Sequence, residues 1–138
     1  MFAPLNKECP TMNIPYLCTA FLGLLVFGLG LNVSLHRRKS SDSLSDQKTI
    51  WSPIFRARTA HSNACQYAPM FCVLILLNQG KIAAALAIMA VVARYLHAFG
   101  FIAFSKPGPN PFIYWGAVGT YLSGLGLSAL LLMKHLPV

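Results

Sequence analysis

IPYLCTAFLGLLVFGLGLNVSL, residues 14–35, contains no charged side chain and runs straight into His36-Arg37-Arg38-Lys39. About 20 helical residues cross a hydrocarbon core of about 30 Å, and this stretch is long enough. A secretory signal carries its positive charge in front of a shorter apolar core; here the charge follows a full-length one. The stretch therefore reads as a retained transmembrane helix. Working outward, residues 40–52, SSDSLSDQKTIWS, are Ser-rich and polar. They end in Ser52-Pro53, an N-cap followed by proline at the first helical position. From Thr59 to Gly80 no Lys, Arg, Asp or Glu occurs, and Asn78-Gln79-Gly80-Lys81 reads as a turn. A third apolar run stops at SKPGPNP, whose prolines forbid further helix. A fourth follows it.

These signals predict helices at about 14–35, 53–78, 82–104 and 112–133, with residues 36–52 as the first loop. The fold class is all-α, a four-transmembrane-helix bundle forming one integral-membrane domain over 1–138. Composition points the same way: of 138 residues 56% are apolar and 10% charged, too few polar residues to clothe a soluble globule. Lys and Arg number 11 against three acids, a formal charge of +8. The only basic cluster lies beside an apolar run, which disfavours nucleic acid and fits positive-inside sorting and anionic lipid. Arg37, Arg38, Lys39, Lys48, Arg56, Arg58 and Lys106 fall on one side, against Lys7, Lys81 and Lys134 on the other. The first loop is therefore expected to be cytosolic, with both termini across the membrane.

Small residues recur on two spans. Gly116, Thr120, Gly124 and Ser128 stand four apart on the fourth, and Ala83, Ala87 and Ala90 mark the third. Such stripes let helices approach closely and make a homo-oligomer plausible. At 100° per residue, Arg56, Thr59, Gln66 and Tyr67 fall within about 60° of Asn63 on the second span, with Arg58, His61 and Cys65 roughly opposite. Uncompensated amides and a phenol at membrane depth belong against protein or a wet cavity. The alanine stripe continues in register to Arg94, His97 and Phe101. A mid-span arginine costs about 2.5–3.5 kcal/mol to insert, and the chain's acids, Glu8, Asp42 and Asp46, all lie outside the spans. An external anion or a purely structural set of hydrogen bonds would each repay that cost.

Other chemistries find no support. The four histidines are scattered, no His/Cys/Asp/Glu spacing suits a metal, and GxSxG, HExxH and P-loop patterns are lacking. Cys9, Cys18, Cys65 and Cys72 contain no CxxC pair, so no disulfide framework is implied. No broken helix pair suggests an inverted-repeat transporter.

The segment HSNACQYAPMF, with Asn63, Gln66, Tyr67 and Pro69, resembles the second-helix signature of the MAPEG family, the membrane-associated proteins in eicosanoid and glutathione metabolism. ARYLHAFGF, residues 93–101, resembles the family's Arg-x-x-His-Ala-x-Gly pattern, especially in bacterial and microsomal glutathione transferases. The resemblance implies a homotrimer that binds glutathione as co-substrate between subunits near the cytosolic side. It also implies transfer, or peroxidase chemistry, on lipophilic electrophiles entering from the bilayer. The membrane would be the endoplasmic reticulum in a eukaryote or the inner membrane in a bacterium. Asn63 and Tyr67 match glutathione-contacting positions, and Arg94 an arginine lining that site. Arg56, Gln66 and His97 join them as candidates, with Arg37 or Arg38 as the loop arginine. Thr59 stands where the family usually has arginine, Gln66 where it has glutamate, and Phe101 where many members have tyrosine. Pro111 replaces an arginine proposed to stabilise the thiolate. Lowering a thiol's pKa requires a nearby cation or comparable donors, which leaves Arg38, Arg56 and Lys106 as substitutes. A non-catalytic lipid-binding or partner-presenting protein is the alternative the family allows, and a packing subunit is what the small-residue stripes alone would give.

Overall fold

The computed structural model describes residues 13–39, 52–104 and 108–136. They form four helices, α1 (Ile14–Lys39), α2 (Pro53–Leu77), α3 (Lys81–Ala103) and α4 (Pro111–His135). The Cys9, acid-residue and Lys106 expectations fall outside the described residues.

The helix ends follow from local chemistry. Ser52 accepts a hydrogen bond from the Phe55 amide at 3.2 Å, with Pro53 next to it, so α2 begins where the sequence signal places it. Asn110 caps α4 and ties it to α3: its side-chain oxygen accepts from the Phe112 amide at 2.9 Å, and its Nδ2 donates to the Gly100 carbonyl of α3 at 2.8 Å. Between α2 and α3 the turn passes through Gly80 at φ +108°, a conformation that L side chains rarely adopt. Asn78 secures that turn, its Nδ2 donating to the carbonyls of Leu74 and Leu127 at 2.9 and 3.1 Å.

One expectation needs correction here. The first loop does not begin at residue 36, because α1 continues through His36-Arg37-Arg38-Lys39. His36 Nδ1 bonds the Asn32 carbonyl at 2.9 Å, and four basic residues at a helix C-terminus meet the negative end of its dipole. The four helices differ in polarity. α1, α3 and α4 are long and apolar enough to cross a membrane, whereas α2 has the length but carries a crowd of polar side chains in its first half.

The core forms where the helices cross. Leu22 of α1, Phe71 and Ile75 of α2, Ala83, Ala87 and Ala90 of α3 and Leu127 of α4 form one buried cluster. Leu25 and Leu29 with Ala60, Ala64 and Ala98 form a second. Large apolar side chains such as Phe27, Leu31, Ile82, Leu125 and Met133 point outward, as a lipid-bathed bundle requires.

The alanine stripe of α3 is buried as expected, and α4 lies very close to it. A methyl group on Gly116 would stand 2.7 Å from the His97 amide nitrogen, and one on Gly119 would stand 2.8 Å from the Ala93 Cβ. In lipid, where burying apolar surface gives no drive, such close packing holds helices together. The stripe on α4 is only half of this seam. Gly116 and Thr120 are buried in it, whereas Gly124 and Ser128 line a cleft facing α2.

Candidate functional site

Arg94 is the residue on which the site is built. It is 1% exposed, and the described residues contain no acid to pair it. Nη2 donates to Asn63 Oδ1 on α2 at 2.6 Å. The guanidinium lies 5.0 Å from the centroid of the Tyr67 ring, a cation–π distance. Its Nε is buried without a partner. A cavity of about 20 Å³ adjoins it, lined by Asn63, Tyr67, His97, Thr120 and Tyr121 among others. Such a space holds about one water.

The geometry divides the polar stripe of α2 in two. With Asn63 at 0°, Arg56 and Tyr67 lie at about +20° and +40°, while Thr59 and Gln66 lie at about −40° and −60°. Tyr67 reaches Tyr121 of α4, hydroxyl to hydroxyl at 3.3 Å, and Arg56 Nη1 donates to the Ile102 carbonyl of α3 at 2.8 Å. Thr59 and Gln66 turn away, into an open groove of about 440 Å³ shared with Phe55, Arg58, Ser62 and Asn63. Arg58 thus borders the stripe instead of standing opposite it, because Arg58, Ser62 and Gln66 form the neighbouring four-residue row. His61 and Cys65 do face elsewhere: His61 Nε2 is 3.6 Å from the Cys65 Sγ, and its ring rests on Gly30 of α1.

His97 belongs to the cavity wall but is already engaged. Its Nδ1 bonds the Ile113 carbonyl at 3.0 Å; a carbonyl only accepts, so Nδ1 carries the proton. Phe101 sits edge-on to its ring at 5.3 Å. Arg56 is half committed, with Nη1 on the α3 carbonyl and Nε buried without a partner. Arg38 stands exposed in the last turn of α1.

The structure therefore brings together Asn63, Tyr67, Arg94 and His97, and leaves Gln66 and Arg38 on the surface. Tyr121 was missed from sequence, since one tyrosine in an apolar span belongs to no motif. Its phase on α4, one residue beyond the small-residue stripe, was the available signal. Thr59 is turned back on its own helix, Oγ1 donating to the Phe55 carbonyl at 2.9 Å. Among the described residues no group of three His, Cys, Asp or Glu could hold a metal, and Cys18, Cys65 and Cys72 are free thiols.

The sequence model of the MAPEG family matches residues 15–133. That is nearly the whole chain, and the chain belongs to this family. No curated protein and no solved structure matches it.

Proposed function

From that membership we propose a membrane-embedded, glutathione-dependent transferase, active as a homotrimer on lipophilic electrophiles and peroxides that enter from the bilayer. The observation that carries the reading is Arg94: buried, without an acid among the described residues, and with Nε unpartnered beside a polar cavity. Glutathione has two carboxylates and one ammonium, and charge-assisted bonds to a guanidinium and amides suit it. Arg94 and Asn63 would take a carboxylate, and Tyr67 would close the cavity toward α4. The sulfur then attacks an electrophilic carbon or a peroxide oxygen as the thiolate.

The outward groove supports the trimer. Arg58, Ser62 and Gln66 are exposed on a helix face at membrane depth, and lipid offers such groups no hydrogen-bond partners. A neighbouring copy, with glutathione lying between the two, would supply them. Arg38 and Arg56 then serve from the basic end, Gln66 from the groove and His97 from the cavity wall. The basic end would face the cytosol, in the inner membrane of a bacterium or the endoplasmic reticulum of a eukaryote.

A second reading, a lipid-presenting protein without catalysis, draws support from Thr59 and Pro111. The first is spent on the Phe55 carbonyl and the second opens α4, so neither offers a sulfur a cation.

Calorimetry of glutathione binding to the detergent-solubilised protein, with thiolate absorbance followed in the same sample, separates the two. Binding with thiolate at neutral pH is expected. Absence of binding at millimolar glutathione would transfer the conclusion to lipid presentation.

A further inference from the structure

Among the described residues nothing of opposite charge meets Arg94. A guanidinium in a protein is always charged, and this one is 1% exposed at membrane depth. Asn63 offers it a neutral oxygen and Tyr67 the face of a ring. Both contacts attract, and neither carries a charge. Leaving a buried cation without a counter-charge is costly. The outward groove does not supply one. It lies on the other side of Asn63, and its remaining side chains, Phe55, Arg58, Thr59, Ser62 and Gln66, bring one more cation and no acid.

The cavity beside the guanidinium is a different kind of space. At about 20 Å³ it suits one water or one monatomic ion, and it is too small for a carboxylate or a sulfate. Donors surround it. Arg94 Nε is buried with its hydrogen unpartnered. Asn63 gives its Oδ1 to Arg94, which leaves the two amide hydrogens on Nδ2 for other acceptors. The Tyr67 and Tyr121 hydroxyls, 3.3 Å apart, hold two hydrogens and use one between them. The other polar walls add no charge: His97 Nδ1 is engaged with the Ile113 carbonyl and the Thr120 hydroxyl with that of Gly116. A water here would satisfy the Nε hydrogen and leave the charge. A monatomic anion answers both.

We propose that this cavity binds one halide ion, chloride in the cell, as the counter-ion of Arg94, held by Arg94 Nε–H, the Asn63 amide and the spare hydrogen of the Tyr67–Tyr121 pair. The walls come from α2, α3 and α4 of a single chain, so the site needs no second copy. As a halide site it also stands without glutathione. Its consequence for a thiol substrate rests on the transferase reading: a carboxylate brought to Arg94 has to displace the halide, since one guanidinium charge is neutralised by one anion. Chloride and glutathione then compete, and the resting protein keeps its buried cation compensated until the substrate arrives.

The test uses the whole protein in nanodiscs of zwitterionic lipid, exchanged into gluconate without glutathione and titrated with radioactive chloride at constant ionic strength. Saturable binding of one chloride per chain is expected, displaced by bromide and not by sulfate, which the cavity cannot admit. Arg94→Gln should abolish it. That change also removes a buried contact, so Ala117→Val provides a second variant: Ala117 lines the cavity, and the added methyl groups fill it while the guanidinium and its partners stay. It too should lose the ion. Replacing Tyr67 and Tyr121 together by Phe should weaken binding about tenfold, the loss of one hydrogen bond to a charged group. Absence of saturable chloride binding overturns the proposal, as does binding that survives Arg94→Gln or Ala117→Val. Displacement by sulfate at the same concentration as bromide would overturn it too, by placing the ion on an open surface. Chloride binding in a protein that fails to bind glutathione would keep the counter-ion and remove the transferase. Glutathione affinity that holds steady as chloride replaces gluconate would overturn the competition and leave the transferase.

Discussion

α4 has two flanks built in opposite ways. Toward α3, Gly116 stands against the His97 backbone and Gly119 against the Ala93 methyl, with no room for one methyl group more. Toward α2, Gly124 faces Phe71 across ordinary contact distance, 3.6 Å from a would-be Cβ, and a cleft remains open. The same residue type, a few positions apart on one helix, closes one face and spares space on the other. Close packing and open space are thereby assigned to different sides, which lets a substitution affect one without the other.

The comparison is most severely tested at Gly116. Gly116→Val places two branches in the His97 backbone; overpacking of this kind destabilises by about 3 kcal/mol or more, and thermal unfolding in detergent should register it. A variant as stable as the parent would mean the seam is looser than described. Next comes Arg94→Ala, expected to cut glutathione affinity by more than about a hundredfold, or about 3 kcal/mol, while oligomer size holds steady. Undiminished affinity in a correctly assembled variant would remove the site.

Gln66→Glu should tighten glutathione binding by about 1 kcal/mol through the ligand's ammonium, and weaker binding would show that a different group faces residue 66. The smallest effect belongs to Gly124→Ala. A methyl at ordinary contact distance should move stability by less than about 0.5 kcal/mol while narrowing the cleft. A stability loss equal to that of Gly116→Ala would erase the distinction between the flanks.

Much of this was legible from sequence because it rests on local rules. Ser52-Pro53 announces the start of α2, and the alanines of α3 keep a period that carries Arg94 and His97 inward with them. The end of α1 lies past the last apolar position because four basic residues suit a helix C-terminus. The stripe on α2 was found but not its division, since phase around one helix does not say which neighbours stand on either side. Tyr121 depends on two helices distant in sequence, and only the packing of α4 against α2 makes it a partner for Tyr67.

The polarity of α2 also bears on how the chain is made. A segment carrying two arginines, a histidine, two amides and three hydroxyls partitions poorly into lipid on its own during synthesis. Only three residues separate it from α3, which is apolar enough to enter alone. The order of synthesis then predicts the order of integration: α1 should be anchored first, and α2 should enter together with α3 as a hairpin. A ribosome-bound chain stalled with α2 outside the exit tunnel and α3 still inside it should leave α2 accessible to aqueous reagents, and one long enough to release α3 as well should not.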